Sequence, residues 1–296
     1  MVEIIFLGTS CMQPTKERNH SGILLSYKTE SLLLDCGEGT QRQMRLAGVK
    51  PAKITRLLIS HWHGDHVFGI PGLLSCMGAD QYAKKLYIYG PKGSKKFLEH
   101  MLKGFAAKGI IEFEIKEVSS GKFFENEDFE LHAEKLKHSV DCVGYSFIEK
   151  DKLRIRVAMA EKLKLSGPIL GELQKGKNVV HKGKKIKSTD ITYLVHGKKI
   201  SYIADTAPCN GANNLAKDAT LLISEGTHLD EIKEKTEKYM HLTVKDAALI
   251  ASENNSKKLV VTHISPRYKS ISEISSEART YFENTIIAED FMRIKV

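Results

Sequence analysis

ITRLLIS (residues 54–60) runs directly into HWHGDH (residues 61–66), and this junction decides the fold. The first stretch is apolar and rich in branched side chains, which predicts a buried strand. The second stretch carries three imidazoles and a carboxylate, and so many crowded polar groups need a common partner. Imidazole and carboxylate suit zinc, and Gly64 fits a sharp turn that would let successive side chains face two ions. The junction therefore predicts a strand that ends in a metal site.

Similar strands recur along the chain and alternate with helical windows. Further apolar, β-branched runs lie at 2–7, 22–27, 31–35, 85–90, 199–205, 220–225 and 258–263. Helical periodicity is found at 39–48, 67–78, 94–108, 243–254 and 271–284. Alternating strands and helices in both halves predict an α/β architecture with buried sheets.

Length and composition narrow the class of protein. The chain has 296 residues, of which 42% are apolar and 27% charged, which excludes a disordered, collagen-like or coiled-coil chain. No apolar run approaches the roughly 18 to 20 residues of a membrane-spanning helix, and Glu3 is unlike the start of a signal peptide. The five cysteines form no CxxC pair. We therefore expect a cytoplasmic protein with neither a disulfide framework nor a membrane partner.

The net charge of +9 is concentrated in one segment. Residues 149–188 contain twelve lysines and arginines against four acids, which gives +8 and leaves +1 for the rest of the chain. The segment is also rich in glycine and has little apolar periodicity, so we interpret it as an inserted arm. A basic arm attracts polyanions such as nucleic acid, although a solvated lysine-rich loop has the same composition.

Three more candidate ligands lie far from the 61–66 loop. His138, Asp205 and His263 each end a predicted strand, at 131–138, 199–205 and 258–263. Any one of them alone is more often a cap or a satisfied polar residue than a ligand. Together with the loop they complete a set large enough for two metal ions.

This residue set resembles that of the metallo-β-lactamase superfamily of binuclear metal hydrolases. The resemblance implies a single catalytic domain over residues 1–296, an αββα sandwich with two sheets between helix layers. More specific segments resemble the tRNase Z family, endonucleases that remove the 3′ trailer of precursor tRNA. These segments are GTS at 8–10, PTKERN at 14–19, LDCGEGTQ at 34–41 and GPILGELQKG at 167–176.

The resemblance implies two zinc ions per subunit and assigns their ligands. One ion would be held by His61, His63 and His138, the other by Asp65, His66 and His263, and Asp205 would bridge them. Asp65 is also the candidate acceptor of the proton of the attacking water.

Further roles follow less directly. His241, oriented by Glu225, is the candidate acid for the leaving oxygen, although Ser224 and Gly226 beside Glu225 depart from the family pattern, and His228 is the alternative. Asp35 is expected to orient a ligand imidazole, or else only to cap its turn.

Substrate contacts would come from the arm and from basic residues near the site. The expected contacts are Lys16, Arg18, Asn19, Gly167, Pro168 and Arg267. The partner implied by the resemblance is precursor tRNA, bound by a homodimer in which one subunit's arm serves the other's site.

The sequence therefore predicts a zinc-dependent tRNA 3′-processing endoribonuclease. It would cut on the 3′ side of the mature tRNA and leave a tRNA 3′-hydroxyl and a 5′-phosphorylated trailer. The first alternative is a superfamily hydrolase of small esters, thioesters or phosphodiesters, which would not need the basic arm. The second is a nucleic-acid-binding protein with a defunct site, which the complete set of seven ligands disfavours.

Overall fold

The computed structural model describes residues 1–104 and 111–296, which form two compact units. The main unit comprises Met1–Phe124, Leu131–Phe147 and Lys199–Val296. The inserted unit comprises Glu125–Glu130 and Ile148–Lys198. No helix of the described ranges is both long and apolar enough to cross a membrane.

The strands are numbered in chain order. Those of the described residues are β1 (Val2–Gly8), β2 (Gly22–Tyr27), β3 (Glu30–Leu34), β4 (Arg56–Leu58), β5 (Leu86–Gly90), β6 (Phe113–Glu117), β7 (Gly121–Glu125), β8 (Phe129–Leu136), β9 (Cys142–Glu149), β10 (Lys152–Ile155), β11 (Val179–His181), β12 (Lys184–Ile186), β13 (Thr192–Val195), β14 (Lys199–Ile203), β15 (Leu221–Glu225), β16 (Leu259–Thr262), β17 (Thr285–Ile287) and β18 (Arg293–Lys295).

The helices are numbered in the same way. They are α1 (Thr40–Leu46), α2 (Gly64–Val67), α3 (Ile70–Ala79), α4 (Ser94–Lys103), α5 (Val157–Lys162), α6 (Pro168–Gln174), α7 (Ser188–Ile191), α8 (Asn210–Ala216), α9 (Lys233–Lys238), α10 (Val244–Glu253) and α11 (Ser272–Tyr281). Single 3₁₀ turns lie at Pro51–Lys53 and Asp230–Ile232.

The main unit is built on two seven-stranded sheets. The first has the strand order β18-β1-β2-β3-β4-β5-β6, antiparallel from β18 to β3 and parallel from β3 to β6. The second has the order β17-β16-β15-β14-β9-β8-β7, in which β14 to β17 are parallel. Runs of consecutive buried residues, such as Leu32–Leu34, arise because these strands are covered on both faces.

The two sheets pack face to face, and helices cover their outer sides. Between the sheets, the Tyr145 hydroxyl donates to the Ile59 carbonyl at 2.7 Å, and the Tyr27 and Phe147 rings lie 5.3 Å apart. On the outer side of the first sheet, strand residues pack against α1, α3 and α4, and on that of the second against α8, α10 and α11. The predicted αββα sandwich is confirmed.

Every predicted strand of the main unit contains an observed strand, with one informative difference in length. The strand predicted at 54–60 is ladder-paired only over Arg56–Leu58. The Ser60 N–H is withdrawn from the ladder because it donates to the Asp35 carboxylate at 2.7 Å. The helix predicted at 94–108 is observed as α4, which ends at Lys103, and residues 105–108 of the predicted range lie outside the described residues.

The inserted unit has a small core of its own. Strands β10 and β13 form an antiparallel ribbon, and β11 and β12 form a hairpin. In sequence, α5 and α6 lie between β10 and β11, and α7 lies between β12 and β13. Leu173 and Ile191 are fully buried within this unit. The sequence shows little periodicity here because the apolar residues are spread over elements of three to seven residues. The arm predicted at 149–188 lies within this unit, which continues to Lys198.

Candidate metal centre

Strand ends of the main unit bring the seven predicted metal ligands together. His61 and His63 follow β4, and Asp65 and His66 lie on α2. Past the ends of β8, β14 and β16 lie the remaining three, which are His138, Asp205 and His263. Side chains at strand ends are held in place by the ladders behind them.

Four of these side chains form the first group of candidate ligands, in which every ligand atom lies within 4.8 Å of the others. His61 Nε2 and His138 Nε2 lie 3.0 Å and 3.2 Å from His63 Nδ1. Asp205 Oδ2 lies 3.7 Å from His61 Nε2. Three ring nitrogens and a carboxylate oxygen at this spacing fit a tetrahedral divalent ion.

The second group lies on the other side of Asp205. His66 Nε2 and His263 Nε2 are 3.3 Å apart, and Asp65 Oδ2 is 3.6 Å and 3.4 Å from them. Asp205 Oδ1 is 3.5 Å from both of these nitrogens. The two oxygens of Asp205 thus face different groups, as a bridging carboxylate requires.

Hydrogen bonds fix which ring atoms face inward. The Nδ1 of His138 donates to the Met240 carbonyl at 3.0 Å, and the Nδ1 of His66 donates to Asp35 at 2.8 Å. A metal-bound imidazole is neutral and carries one proton, so with Nδ1 as the donor the Nε2 of each ring would present a lone pair to a metal ion.

Two hydroxyls orient the other pair of imidazoles. Ser60 Oγ donates its proton to Asp35 at 2.8 Å and therefore accepts from His61 Nδ1 at 3.0 Å. Thr227 Oγ1 donates to a buried carboxylate, that of Glu225, at 2.6 Å and accepts from His263 Nδ1 at 3.0 Å. Lone pairs on Nε2 therefore converge from four rings, an arrangement that is repulsive without a cation between them.

The carboxylates of the centre also favour a bound cation. Asp205 Oδ1 is buried and has no hydrogen-bond donor among the described residues. Burial lowers the pKa of His66, but the carboxylates of Asp205, Asp65 and Asp35 outweigh it and raise the pKa well above the usual value. An acceptor without a donor and three carboxylates around one imidazole fit a bound metal ion.

Asp35 anchors the centre from beneath. It is 1% exposed, and its carboxylate accepts hydrogen bonds from the Ser60 N–H, the Ser60 hydroxyl, His66 and the Tyr202 hydroxyl at 2.7 to 2.8 Å. Asp35 and His263, each at or just past a strand end, have φ of 58°. Side chains other than glycine rarely adopt this left-handed conformation, and it tends to occur where function requires it.

Gly64 lies where the chain passes from the extended backbone of His63 into α2, and its contribution there is space rather than an unusual φ. Gly64 opens α2 and is absent from the glycines of positive φ. A Cβ at this position would lie 2.3 Å from the Phe68 ring, so the missing side chain makes room for that ring.

Glu225 and His241 lie beside the second group. His241 Nδ1 is 3.0 Å from Glu225 Oε2, and Glu225 Oε1 accepts from the Thr206 N–H at 2.6 Å. Burial lowers the pKa of His241, but the carboxylates of Glu225 and Asp205 outweigh it and raise the pKa to about 9. These carboxylates therefore favour the doubly protonated, cationic form of His241.

His228 has different surroundings. Its Nδ1 lies 3.2 Å from the Thr236 hydroxyl, with no carboxylate partner among the described residues. Burial and the charges of His241 and Lys235 lower the pKa of His228 to about 4. Of the two candidate acids, only His241 is paired with a carboxylate.

The centre opens into a cleft of about 580 Å³. Its walls include side chains from both groups, the two candidate acids, and residues of the 235–241 segment. A cleft of this size admits a nucleotide-sized portion of a substrate.

The residues predicted to contact substrate are placed in different ways. Lys16 is exposed. Arg18 Nη1 instead donates to Thr9 Oγ1 at 2.6 Å and to the Ala288 carbonyl at 2.7 Å, and the Asn19 amide donates to the Glu38 carbonyl at 2.8 Å. The structure thus uses parts of Arg18 and Asn19 to fix their own loop.

Gly167, Pro168 and Arg267 lie at surface positions. Gly167 has a φ of 64° and precedes Pro168, the first residue of α6. Glycine tolerates this φ and proline suits the first helical position, so the pair begins the helix. Arg267 is exposed four residues after His263.

Sequence reasoning missed three supporting groups. These are the Tyr202 hydroxyl, the Thr227 hydroxyl and the Met240 carbonyl. Thr227 lies two residues after Glu225, and that proximity could have pointed to it. Tyr202 lies 167 residues from Asp35, and no local pattern indicates the contact.

The fold and the centre together define a protein of the metallo-β-lactamase fold. The metallo-β-lactamase fold protein YhfI of Bacillus subtilis superposes with a TM-score of 0.72 at 19% identity, covering 99% of this chain and 98% of that one. The short form of human tRNase Z superposes with a TM-score of 0.73 at 26% identity, covering 99% of both chains.

The sequence relatives define the family. A ribonuclease Z of Methanosarcina mazei is 38% identical over 304 residues, covering 100% of this chain and 98% of the relative. The chain belongs to the ribonuclease Z family. Residues 2–166 also match the family model described as Anti-Pycsar protein Apyc1, a match that ends within the inserted unit.

Proposed function

We propose that this protein is a metal-dependent endoribonuclease that removes the 3′ trailer of precursor tRNA. The single observation that carries the proposal is the convergence of seven imidazole and carboxylate ligands in a chain that aligns end to end with ribonuclease Z relatives. Metal ions bound there would activate water and neutralise charge on the scissile phosphodiester.

The first role of the chain's own residues is proton transfer. Asp65, whose Oδ2 also accepts from the Met12 N–H at 2.9 Å, accepts the proton of the attacking water. The water oxygen bonds to phosphorus and the bond from phosphorus to the tRNA 3′-oxygen breaks. His241 donates a proton from Nε2 to that oxygen, because its Nδ1 is held by Glu225. The products are a tRNA 3′-hydroxyl and a trailer with a 5′-phosphate.

The inserted unit supplies charge for tRNA binding. Lys162, Lys164, Lys182, Lys184 and Lys185 are exposed, and no carboxylate partner is found for them among the described residues. Contacts of lysine with the phosphate backbone fix the register of an RNA without reading its bases. In this proposal Lys16 and Arg267 add phosphate contacts from the main unit, and Gly167 and Pro168 shape the arm.

The deciding experiment is cleavage of a 3′-extended precursor tRNA, with the cut mapped to the nucleotide. We expect one cut at the end of the acceptor stem, loss of cleavage with a chelator, and recovery when metal is returned. Replacing His63 by Ala should abolish cleavage and lower the bound metal. Cleavage that continues in the chelator or in this variant would contradict the proposal.

We further propose two zinc ions per chain, a homodimer and a cytoplasmic location. The two neighbouring ligand groups, with oxygens of Asp205 at 3.7 Å from His61 in one and at 3.5 Å from His66 and His263 in the other, support the count of two, and their nitrogen-rich composition supports zinc. Elemental analysis of purified protein should give a zinc-to-chain ratio near two, and analytical ultracentrifugation should give twice the chain mass. A fluorescent fusion should distribute through the cytoplasm.

A further inference from the structure

An aromatic side chain and two lysines share one wall of the metal cleft. Lys235, Lys238 and Tyr239 all line the cleft. Tyr239 is 53% exposed, which is unusual for a large ring beside a metal centre. The two lysines are exposed, and no carboxylate pairs with them among the described residues.

Among the described residues, this wall of the cleft includes lysines of α9 but not its acids. Lys235 and Lys238 are three residues apart on α9, so they lie on one face of that helix. The acids of the same helix, Glu234 and Glu237, are not among the cleft-lining residues of the described chain. The cleft therefore meets the positive side of α9.

The segment that carries Tyr239 is fixed at several points. The Met240 carbonyl accepts from His138, and the Met240 N–H donates to the Glu237 carbonyl at 3.0 Å. The His241 N–H donates to the Thr236 carbonyl at 3.1 Å. Tyr239 thus lies two residues from the candidate acid, on backbone that is hydrogen-bonded to a proposed metal ligand.

We propose that Tyr239 is a stacking platform for the base of the last nucleotide kept in the tRNA, and that Lys235 and Lys238 contact the phosphates beside it. An exposed aromatic ring on hydrogen-bonded backbone, with adjacent cations, suits a single-stranded nucleotide. The side of the cut follows from His241, which protonates the 3′-oxygen of that nucleotide in the proposed function. The proposal therefore rests on that function.

The test compares two precursor tRNAs that differ only at the last retained nucleotide, which is intact in one and abasic in the other. Replacing Tyr239 by Ala should lower kcat/KM on the intact substrate by about 10- to 100-fold. For the unchanged protein, the abasic substrate should lower kcat/KM by about the same factor. For the Ala variant, the abasic substrate should cause no further loss of kcat/KM. Tyr239→Phe should behave like the unchanged protein, because it keeps the ring.

Controls separate a stacking role from a structural one. Tyr281→Ala removes a tyrosine that is 37% exposed outside the cleft and should still discriminate between the two substrates. The metal content of Tyr239→Ala should match that of the unchanged protein, because Tyr239 is not one of the proposed ligands, and Tyr239→Leu repeats the test should the Ala variant fold poorly.

The proposal is overturned if Tyr239→Ala still distinguishes the intact from the abasic substrate. It is also overturned if only an abasic first trailer nucleotide shows the dependence on Tyr239. Failure of the unchanged protein to cut either precursor would instead refute the proposed function, so the two failures can be told apart.

Discussion

At the scale of single residues, Asp35 does more than its place in the sequence indicates. The motif around 34–41 predicts a residue that orients one imidazole. In the structure its carboxylate also accepts hydrogen bonds from the Tyr202 hydroxyl of the second sheet and from the N–H and the hydroxyl of Ser60. Because Ser60 in turn holds His61, one buried carboxylate orients imidazoles of both ligand groups.

Replacing Asp35 by Asn should weaken metal binding by about 10- to 100-fold. An amide has one acceptor oxygen and one donor nitrogen, so it cannot accept from all the groups that now face the carboxylate. Competition with a chromophoric chelator measures the affinity. Asp80→Asn, in an exposed pair with Arg45, is the matched control and should leave the affinity unchanged. Normal affinity in Asp35→Asn would contradict this account.

Replacing His241 by Ala should slow cleavage by about 10²- to 10⁴-fold while the bound metal is retained. The reason is that the acid for the leaving oxygen is lost, whereas His241 is not one of the seven proposed ligands. Single-turnover kinetics and elemental analysis provide the two readouts. His228→Ala, in the same cleft, should have a much smaller effect. A larger loss of cleavage rate in His228→Ala than in His241→Ala would assign the acid role to His228 instead.

The candidate metal ligands could be predicted from the sequence, but several of the groups that hold them in place by hydrogen bonds could not. Imidazoles and carboxylates clustered in 61–66, or placed at the ends of apolar strands, stand out from ordinary loops. The Tyr202 hydroxyl and the Met240 carbonyl do not stand out, because tyrosine and a backbone carbonyl occur everywhere. Their roles arise only from packing between distant segments.

At the scale of elements, the short connection between α9 and α10 does much of the positioning. Its Met240 carbonyl accepts a hydrogen bond from His138, and it carries His241. It ends in a capping box between Thr243 and Asp246, where α10 begins. Strands β14, β15 and β16 were predictable because they are continuous apolar runs. Helix α9 was not, since its sequence of alternating charges has no apolar stripe and it is held by tertiary contacts.

Thr243→Ala should lower the free energy of unfolding by about 1 kcal/mol. The hydroxyl that accepts from the Asp246 N–H at 3.0 Å and donates to the Asp246 carboxylate at 2.8 Å is lost, whereas the Thr243 N–H can still donate to that carboxylate. Urea denaturation followed by circular dichroism measures the change. Thr243→Ser keeps the hydroxyl and should stay close to the unchanged protein, so an equal loss in both variants would exclude the cap as the cause.

At the scale of the whole molecule, the most basic segment and the metal ligands belong to different units. The ligands all lie in the main unit, whereas the segment 149–188, whose net charge is +8, lies in the inserted unit. The charge asymmetry could be read from composition alone. The small core of the inserted unit could not, because its few apolar residues meet only after the short elements fold back on one another.

The register of β10 and β13 allows the inserted unit to be trimmed cleanly. Ile155 pairs with Thr192, so an Asn-Gly turn can replace residues 156–191 and close the ribbon as a hairpin. The trimmed protein loses nine lysines and arginines and three acids. We expect binding of precursor tRNA to weaken at least about tenfold and to depend less on salt. Hydrolysis of bis(p-nitrophenyl) phosphate should persist, and its loss would mean that the trimmed part supports the metal centre.

The closeness of His66 and His263 has a consequence for the lifetime of the protein. Their Nε2 atoms are 3.3 Å apart although 197 residues separate them, and one follows a strand of the first sheet and the other a strand of the second. An ion shared by both fastens the two sheets together and closes a very long loop, much as a disulfide would. The supply of metal would then set how fast the protein is degraded, independently of whether any RNA is being cut.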